Sequence, residues 1–412
     1  MGLRILYLHQ HFSMPEGATA TRAFAMSRAL AAAGHKVTVA CGAYDGARTG
    51  LDGPWRQGRR QGRVGAVEVV EFAVRSGNAQ GLLGRTAGFL HFAARAASLA
   101  TAENWDLVIA SSTPLTVALP ALWARRRRGT PFLFEIRDPW PELPRALGGV
   151  PRPILAAMEP LADAACRQAV AVIALSDGMA DTAIARGANP AAVHVVPNGC
   201  DLDLFGPQIT PWRPAEAQSW EVLAVYAGAH GRANGLGLLL DAATILRDRG
   251  ETRVRIVLVG DGAQKPALAA AARALPNVTL LDAMPKTRLA GLLAGSQIGL
   301  QCLAPVPEFA EWTAPNKLMD YLAAGLPVIA NMQGRAARIL ADGPCGIATP
   351  PADAAAMADA LAALAADPER RRAMGLAGRN QAVRRWDRRL LARDFVAVVE
   401  AAAGLSPARA AA

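Results

Sequence analysis

The sequence predicts an α/β protein with two domains, and three observations carry that expectation. Short apolar runs alternate with longer stretches of helical periodicity along the whole chain, the pattern of strand–helix–strand units on parallel sheets. Glycine-bearing turns follow several of these runs, where the chain must bend from a strand into a helix. Residues 206–220 carry three prolines and two tryptophans and read as a linker. A chain of 412 residues is long enough for a full core on either side of it.

Residues 4–9 (RILYLH) form a first strand, 10–21 a loop, 22–33 an amphipathic helix stopped by Gly34, and 36–40 a second strand. No GxGxxG lies in this unit, so it is not the dinucleotide fingerprint. Gly17 precedes the helix, where a phosphate could approach the backbone. Residues 44–66, rich in Gly and Arg, read as an exposed loop, and 67–72 return to strand. Residues 81–101 are helical, with Leu82, Leu83, Phe89, Leu90 and Phe92 on an apolar side that reads as a core face or as a partly exposed acceptor or membrane element. A strand over 105–110, a helix over 115–128 and a buried strand over 131–136 (PFLFEI) follow. Arg137 and Asp138 come directly after that strand, at the carboxyl edge where open α/β sheets bind ligands. A helix over 154–169, a strand over 171–175, a helix to Arg186 and a strand over 193–197 complete the first half.

The second half opens with a strand over 222–227 and the loop Gly228–Gly235, then a helix to Arg247. Residues 253–259 lead into Gly260-Asp261-Gly262, with Lys265 just beyond. Glycines here allow the backbone close to an anion. Further strands fall at 278–281 and 298–303. The stretch 308–330 reads as loop, helix, glycine stop and strand. Pro315 and Asn316 enter the helix, Gly325 caps it, and Pro327 forbids its continuation. Free N–H groups of the loop at Ala314 and of the helix start at Asn316, past Pro315, would then lie beside Glu308, Glu311 and Lys317, suited to holding a sugar hydroxyl and a phosphate together. Helices over 352–366, 368–385 and 386–403 end the chain.

Composition narrows the function. Hydrophobic residues make up 52% and charged residues 19%, a globular balance. Five cysteines without metal-binding spacing point to a reduced, cytoplasmic setting, and the early strand leaves no room for a signal peptide. No apolar run is long enough for a membrane span. The net charge is +10, and residues 1–128 hold 16 Lys/Arg against 7 Asp/Glu. Arg56, Arg59, Arg60, Arg63, Arg85, Arg95 and residues 125–128 make a basic region. It reads either as a basic compositional style or as docking, through residues 56–128, to the anionic inner face of the plasma membrane or to a diphosphate-bearing acceptor. Nucleic acid is disfavoured, since no binding motif or interleaving of basic and aromatic residues accompanies the charge.

Four segments carry a resemblance: Arg137-Asp138-Pro139-Trp140-Pro141-Glu142 after its strand, Pro197-Asn198-Gly199-Cys200-Asp201, the Gly260-Asp261-Gly262 turn with Lys265, and Pro315-x-Lys317 followed by Asp320, Tyr321, Ala323, Ala324 and Gly325. Together they resemble the retaining, nucleotide-sugar-dependent glycosyltransferases of family 4, in the branch that builds bacterial O-antigens and exopolysaccharides. The resemblance covers roughly residues 1–400. It implies the GT-B fold, two Rossmann-like domains facing across a cleft, with residues 1–205 binding the acceptor, 221–385 binding the nucleotide sugar, and 386–412 crossing back to the first domain.

The resemblance also implies roles. Gly17, Gly228 and Gly262 would approach the donor phosphates. Arg232 and Lys265 would supply charge that many relatives place at the positions of Ala229 and Asn234. Met284 would lie in the segment cupping the base, and Asp320 on the ribose. The wider family has a glutamate eight residues before that carboxylate. Trp312 stands there, so Glu308 or Glu311 would bind the donor sugar. Asp138 would orient the acceptor hydroxyl and Lys317 the leaving diphosphate. Relatives often place a histidine near the donor sugar, and the matching stretch 111–114 has none. The expected reaction moves a sugar, of N-acetylhexosamine type, from a UDP-sugar to a lipid-diphosphate or small-molecule acceptor with retention, without metal or other cofactor. Competing readings are a non-hydrolysing UDP-sugar epimerase, which shares the fold, and a basic membrane-associated scaffold without catalysis.

Overall fold

The structure, a computed structural model, describes residues 2–17, 21–77, 80–313 and 315–405. The chain divides into two compact units, one of Met1–Pro197 with Arg389–Ala412 and one of Asn198–Arg388.

The first unit is built on strands β1 (Arg4–Leu8), β2 (Lys36–Tyr44), β3 (Arg59–Val64), β4 (Val67–Ser76), β5 (Leu107–Ser111), β6 (Phe132–Ile136), β7 (Ala171–Ala174) and β8 (Val193–Val195). Their order in the sheet is β3-β4-β2-β1-β5-β6-β7-β8. All neighbours are parallel except β3, which runs antiparallel to β4. The strand order reverses at β1, between β2 and β5, and the carboxyl ends of β1 and β5 frame that switch point, where such sheets bind ligands. Central strands such as β5 and β6 are buried at every residue, as helices on both faces require.

Residues 44–66 differ from expectation. They contain β3, where exposed and half-buried residues alternate, leaving a charged edge strand. Arginine alternation hid it, because an edge strand with one solvated face lacks an apolar run. The helix Leu82–Ala102 falls between its two readings, part core and part exposed. Phe89 and Phe92 are buried, but Leu83 is 83% exposed and Leu90 51% exposed. The final helix, Arg388–Ala402, packs Leu391, Phe395 and Val399 into the core of this unit, with the Phe395 ring 6.1 Å from Tyr7.

The second unit carries β9 (Val222–Ala227), β10 (Val254–Val259), β11 (Val278–Leu281), β12 (Ile298–Gln301), β13 (Val328–Ala330) and β14 (Gly346–Ala348). Their order is β11-β10-β9-β12-β13-β14, all parallel, with the reversal at β9 between β10 and β12. Apolar clusters cover both faces of this sheet. The exchange between units falls at residues 197/198 and 388/389, rather than at 205 and 386. Residues 198–205 belong with the second unit because Cys200 and Trp386–Arg388 pair through their backbones, Arg388 binds Asp201 at 2.7 Å, and Phe205 enters the core.

Candidate active site

In the second unit, polar groups converge on the carboxyl ends of β9 and β12. The helix Asn316–Ala323 starts here, with Pro315 as its N-cap residue rather than its first helical residue. Lys317 lies in its first turn. Its Nζ donates to Tyr226 Oη (2.9 Å) and Asn234 Oδ1 (3.2 Å) and sits 4.3 Å from the Tyr226 ring centre. No carboxylate pairs with it among the described residues. Burial therefore pushes the ammonium down from 10.5 to about 8. A cation at a helix N-terminus is further disfavoured by the helix dipole until an anion joins it. Gly228 leaves room for this packing, since a Cβ there would meet Lys317 Cε at 2.9 Å and push the ammonium aside. One strand over, a Cβ on Gly260 would lie 1.9 Å from the Gly228 carbonyl, so the two loops run backbone against backbone.

The remaining residues divide. Arg232 is exposed on a single turn of 3-10 helix. Lys265 opens the helix Lys265–Ala272 and pairs with Asp282 at 2.5 Å. The backbone N–H of Gly262 is taken by Asp261 Oδ1 at 2.8 Å. Met284 packs at the edge of the core. Asp320 is buried, with Oδ2 on Lys286 Nζ at 2.9 Å, while Oδ1 is buried without a protein partner. Burial raises its pKa against the pull of Lys286. Glu308 and Glu311 are not both in a loop, because Phe309–Trp312 form one helical turn that Glu308 caps. Glu311 makes a two-point pair with Arg338 (2.8 and 2.6 Å), whose guanidinium holds its carboxyl below the ordinary range. Glu308 is exposed and makes no such pair. Ala314 lies outside the described residues. Tyr321 is a framework residue, its hydroxyl accepting the Ala227 N–H at 2.8 Å.

In the first unit a second cluster occupies the carboxyl ends of β1, β5 and β6. Asp138 Oδ2 accepts from Thr113 Oγ1 at 2.6 Å, and burial raises its pKa. The Arg137 N–H donates to Ser112 Oγ at 3.1 Å, and its Nη1 donates to His9 Nε2 at 2.7 Å. His9 Nδ1 faces the Ser111 carbonyl at 3.3 Å. A carbonyl only accepts, so His9 carries its proton on Nδ1 and is neutral. Burial, with Arg137 beside it, lowers its pKa well below the usual value. His11 is lowered to about 3 by burial and by Arg137 and Arg85, and its Nε2 is buried without a partner. Beneath these, Glu135 accepts from Arg22 Nε (2.8 Å), Tyr7 Oη (3.1 Å) and Ser111 Oγ (2.5 Å). Burial alone would raise Glu135, but Arg22, Arg137 and the hydrogen bonds outweigh it and lower it. Arg22, fully buried, also donates to the Val196 and Pro197 carbonyls.

Gly17 stands apart from a phosphate role. Its N–H bonds the Met14 carbonyl at 3.0 Å, and a Cβ would lie 2.2 Å from Ser13 Oγ and 2.9 Å from Arg48 N, so close packing accounts for it. His9 and His11 were not among the expected site residues. The signal was present, since both directly follow an apolar strand, the same argument that marks Arg137 and Asp138.

Two doubly wound sheets, each with charged groups gathered at the carboxyl ends of its central strands, are the frame on which the family match falls. The chain belongs to the family-4 type glycosyltransferases of the GT-B fold. Residues 17–199 match the glycosyl transferase 4-like domain, and residues 221–367 match glycosyl transferases group 1. It is 31% identical over 204 residues to D-inositol 3-phosphate glycosyltransferase of Kribbella flavida, covering 46% of this chain and 47% of that protein. It is 27% identical over 210 residues to phosphatidyl-myo-inositol mannosyltransferase of Mycobacterium leprae, covering 50% and 53%. The chain thus spans about half the length of the curated relatives it matches. Among solved structures it resembles sucrose-phosphate synthase from Thermosynechococcus elongatus (TM-score 0.75, 17% identity, 96% and 98% covered). It also resembles Anabaena HepE in complex with UDP and glucose (TM-score 0.68, 19% identity, 97% and 99% covered). Among the described residues, no helix is long and apolar enough to cross a membrane.

Proposed function

We propose that the chain transfers a sugar of N-acetylhexosamine type from a UDP-sugar to a hydroxyl of a lipid-linked or small-molecule acceptor, with retention at the anomeric carbon. The observation that carries this reading is Lys317, a desolvated cation at a helix N-terminus with neutral partners only. A diphosphate would supply the missing anion, and its charge grows as the sugar–phosphate bond breaks. A contact that strengthens with that charge accelerates the step. The Gly228 backbone and the exposed Arg232 would add to it, while Lys265 would have to exchange Asp282 for phosphate. Asp320, with one free buried oxygen, suits a ribose hydroxyl. Glu308 is the better candidate for the donor sugar, because Arg338 occupies Glu311. In the first unit Asp138, oriented by Thr113, would fix the acceptor hydroxyl. No metal is assigned a part in this scheme.

The test is UDP release from UDP-N-acetylglucosamine, UDP-N-acetylgalactosamine, UDP-glucose and UDP-galactose with lipid-diphosphate and soluble acceptors, with the product anomer read by NMR. An axial linkage from an axial donor supports retention. Interconversion of the sugars without transfer would establish the epimerase instead, and no UDP dependence at all would refute the donor assignment.

A further inference from the structure

The first unit holds a cavity of about 730 Å3 whose role the reaction above leaves open. It lies within the roughly 300–1,000 Å3 range of small-molecule sites. Its walls come from the carboxyl ends of β2 and β4 and from residues 47–55. Tyr44, on its wall, has its ring 4.4 Å from His11. His11 in turn neighbours His9, at 6.4 Å between rings, and His9 holds Arg137 next to Asp138. The cavity therefore lies on the same carboxyl edge of the sheet as Asp138, with β1 and β5 between their strands.

The charge of the lining decides what it suits. Arg48, Arg60 and Arg75 are set against Glu16, Asp45, Asp52 and Glu71. Arg60 is already neutralised by Glu71 at 2.7 Å, and Glu71 also accepts the Thr49 hydroxyl at 2.7 Å. What remains is two guanidiniums among three carboxylates, a poor host for a phosphate. The arginine excess of this unit lies elsewhere, on Arg56, Arg59, Arg63 and residues 125–128. Mixed donors and acceptors around aromatic surfaces are instead the chemistry of a sugar ring, whose hydroxyls do both and whose C–H faces are apolar. Tyr44 and Trp55 supply the aromatic surfaces, and Arg60 braces the Trp55 ring at 4.6 Å.

We propose that this cavity binds an uncharged pyranose unit of the acceptor, so that the enzyme elongates a saccharide rather than glycosylating a bare phosphate-bearing alcohol. The proposal rests on the glycosyltransferase reading for its meaning, but its test does not need the donor. Binding of octyl pyranosides (glucose, galactose, mannose, rhamnose, N-acetylglucosamine and N-acetylgalactosamine) is measured by calorimetry on the full chain, beside glycerol 3-phosphate and inositol 1-phosphate. Wild type is expected to bind at least one pyranoside and neither phosphate. Trp55→Ala and Asp52→Asn, both exposed positions that spare the core, are expected to weaken that pyranoside at least tenfold and leave UDP affinity unchanged. Binding of a phosphate in preference, of no pyranoside, or of a pyranoside equally by both variants overturns the proposal. Loss of UDP binding by wild type would instead count against the donor reading, and the pyranoside result would stand on its own.

Discussion

Replacing Lys317 with Met should weaken UDP binding without weakening the fold. The side chain keeps its apolar length and loses only its charge. Holding the ammonium at about 8 instead of 10.5 corresponds to about 3 kcal/mol of unfavourable burial. An arriving diphosphate returns most of that by pairing with the cation, so the variant should bind UDP about a hundredfold less tightly. The pH dependence has a definite sign. Below pH 8 the cation is present in the free protein, and affinity is flat on its account. Above pH 8 binding must take up a proton, so Kd should rise by up to about tenfold per pH unit in wild type and stay level in the variant. Stability without ligand runs the other way. The folded pKa lies below the unfolded one, so the unfolded chain binds more protons between pH 8 and 10.5, and wild type should gain stability across that window. Calorimetric UDP titrations at pH 7, 8.5 and 9.5, with Tm at each, read both effects. A K317M protein that binds UDP within threefold of wild type, or melts well below it, refutes the argument.

Asp138→Asn should cut transfer while leaving UDP affinity intact. Because burial raises Asp138, the acid limb of the wild-type rate should fall above the ordinary aspartate range, with activity lost as pH drops through it, and D138N should lack that limb. Arg22→Met removes the cation directly paired with Glu135 and leaves only the more distant Arg137, in a fully buried site, a change that typically costs about 3–5 kcal/mol; chemical denaturation should show it, and adding Glu135→Gln should restore part of the loss. Changing residues 125–128 to Gln should reduce flotation with anionic but not neutral liposomes, since each surface arginine contributes about 1 kcal/mol near such lipid, and Leu83, Leu90 and Trp123 stand exposed in the same region. Equal flotation of both proteins would remove the membrane assignment.

The parallel strands were legible because burial on both faces leaves uninterrupted apolar runs such as FLFEI, and their carboxyl ends follow directly. Edge strand β3 was not, since its arginines mimic a loop. Lys317 and Asp138 could be picked out by position after a turn or a strand. Their partners could not: Tyr226, Asn234 and Thr113 are remote in sequence, and nothing local announces them. Glu311 shows the reverse limit. Spacing made it a sugar ligand candidate, whereas Arg338, a full helix away, occupies it. Gly17 looked like a phosphate-loop glycine because close backbone packing and anion approach demand the same residue.

The first unit is finished by a helix from the far end of the chain. Its β1 strand precedes the whole second unit in the chain, yet Tyr7 meets Phe395 only after that unit has been synthesised. During translation the continuous segment 198–388 can close its core on its own, while the earlier unit waits with an apolar face uncovered. The first unit therefore gains its last helix only after residues 198–388 have been made, whatever the rest of it does earlier. A chain cut just after Arg388 would keep every residue of the second unit and leave the first without the helix that brings Phe395 to Tyr7.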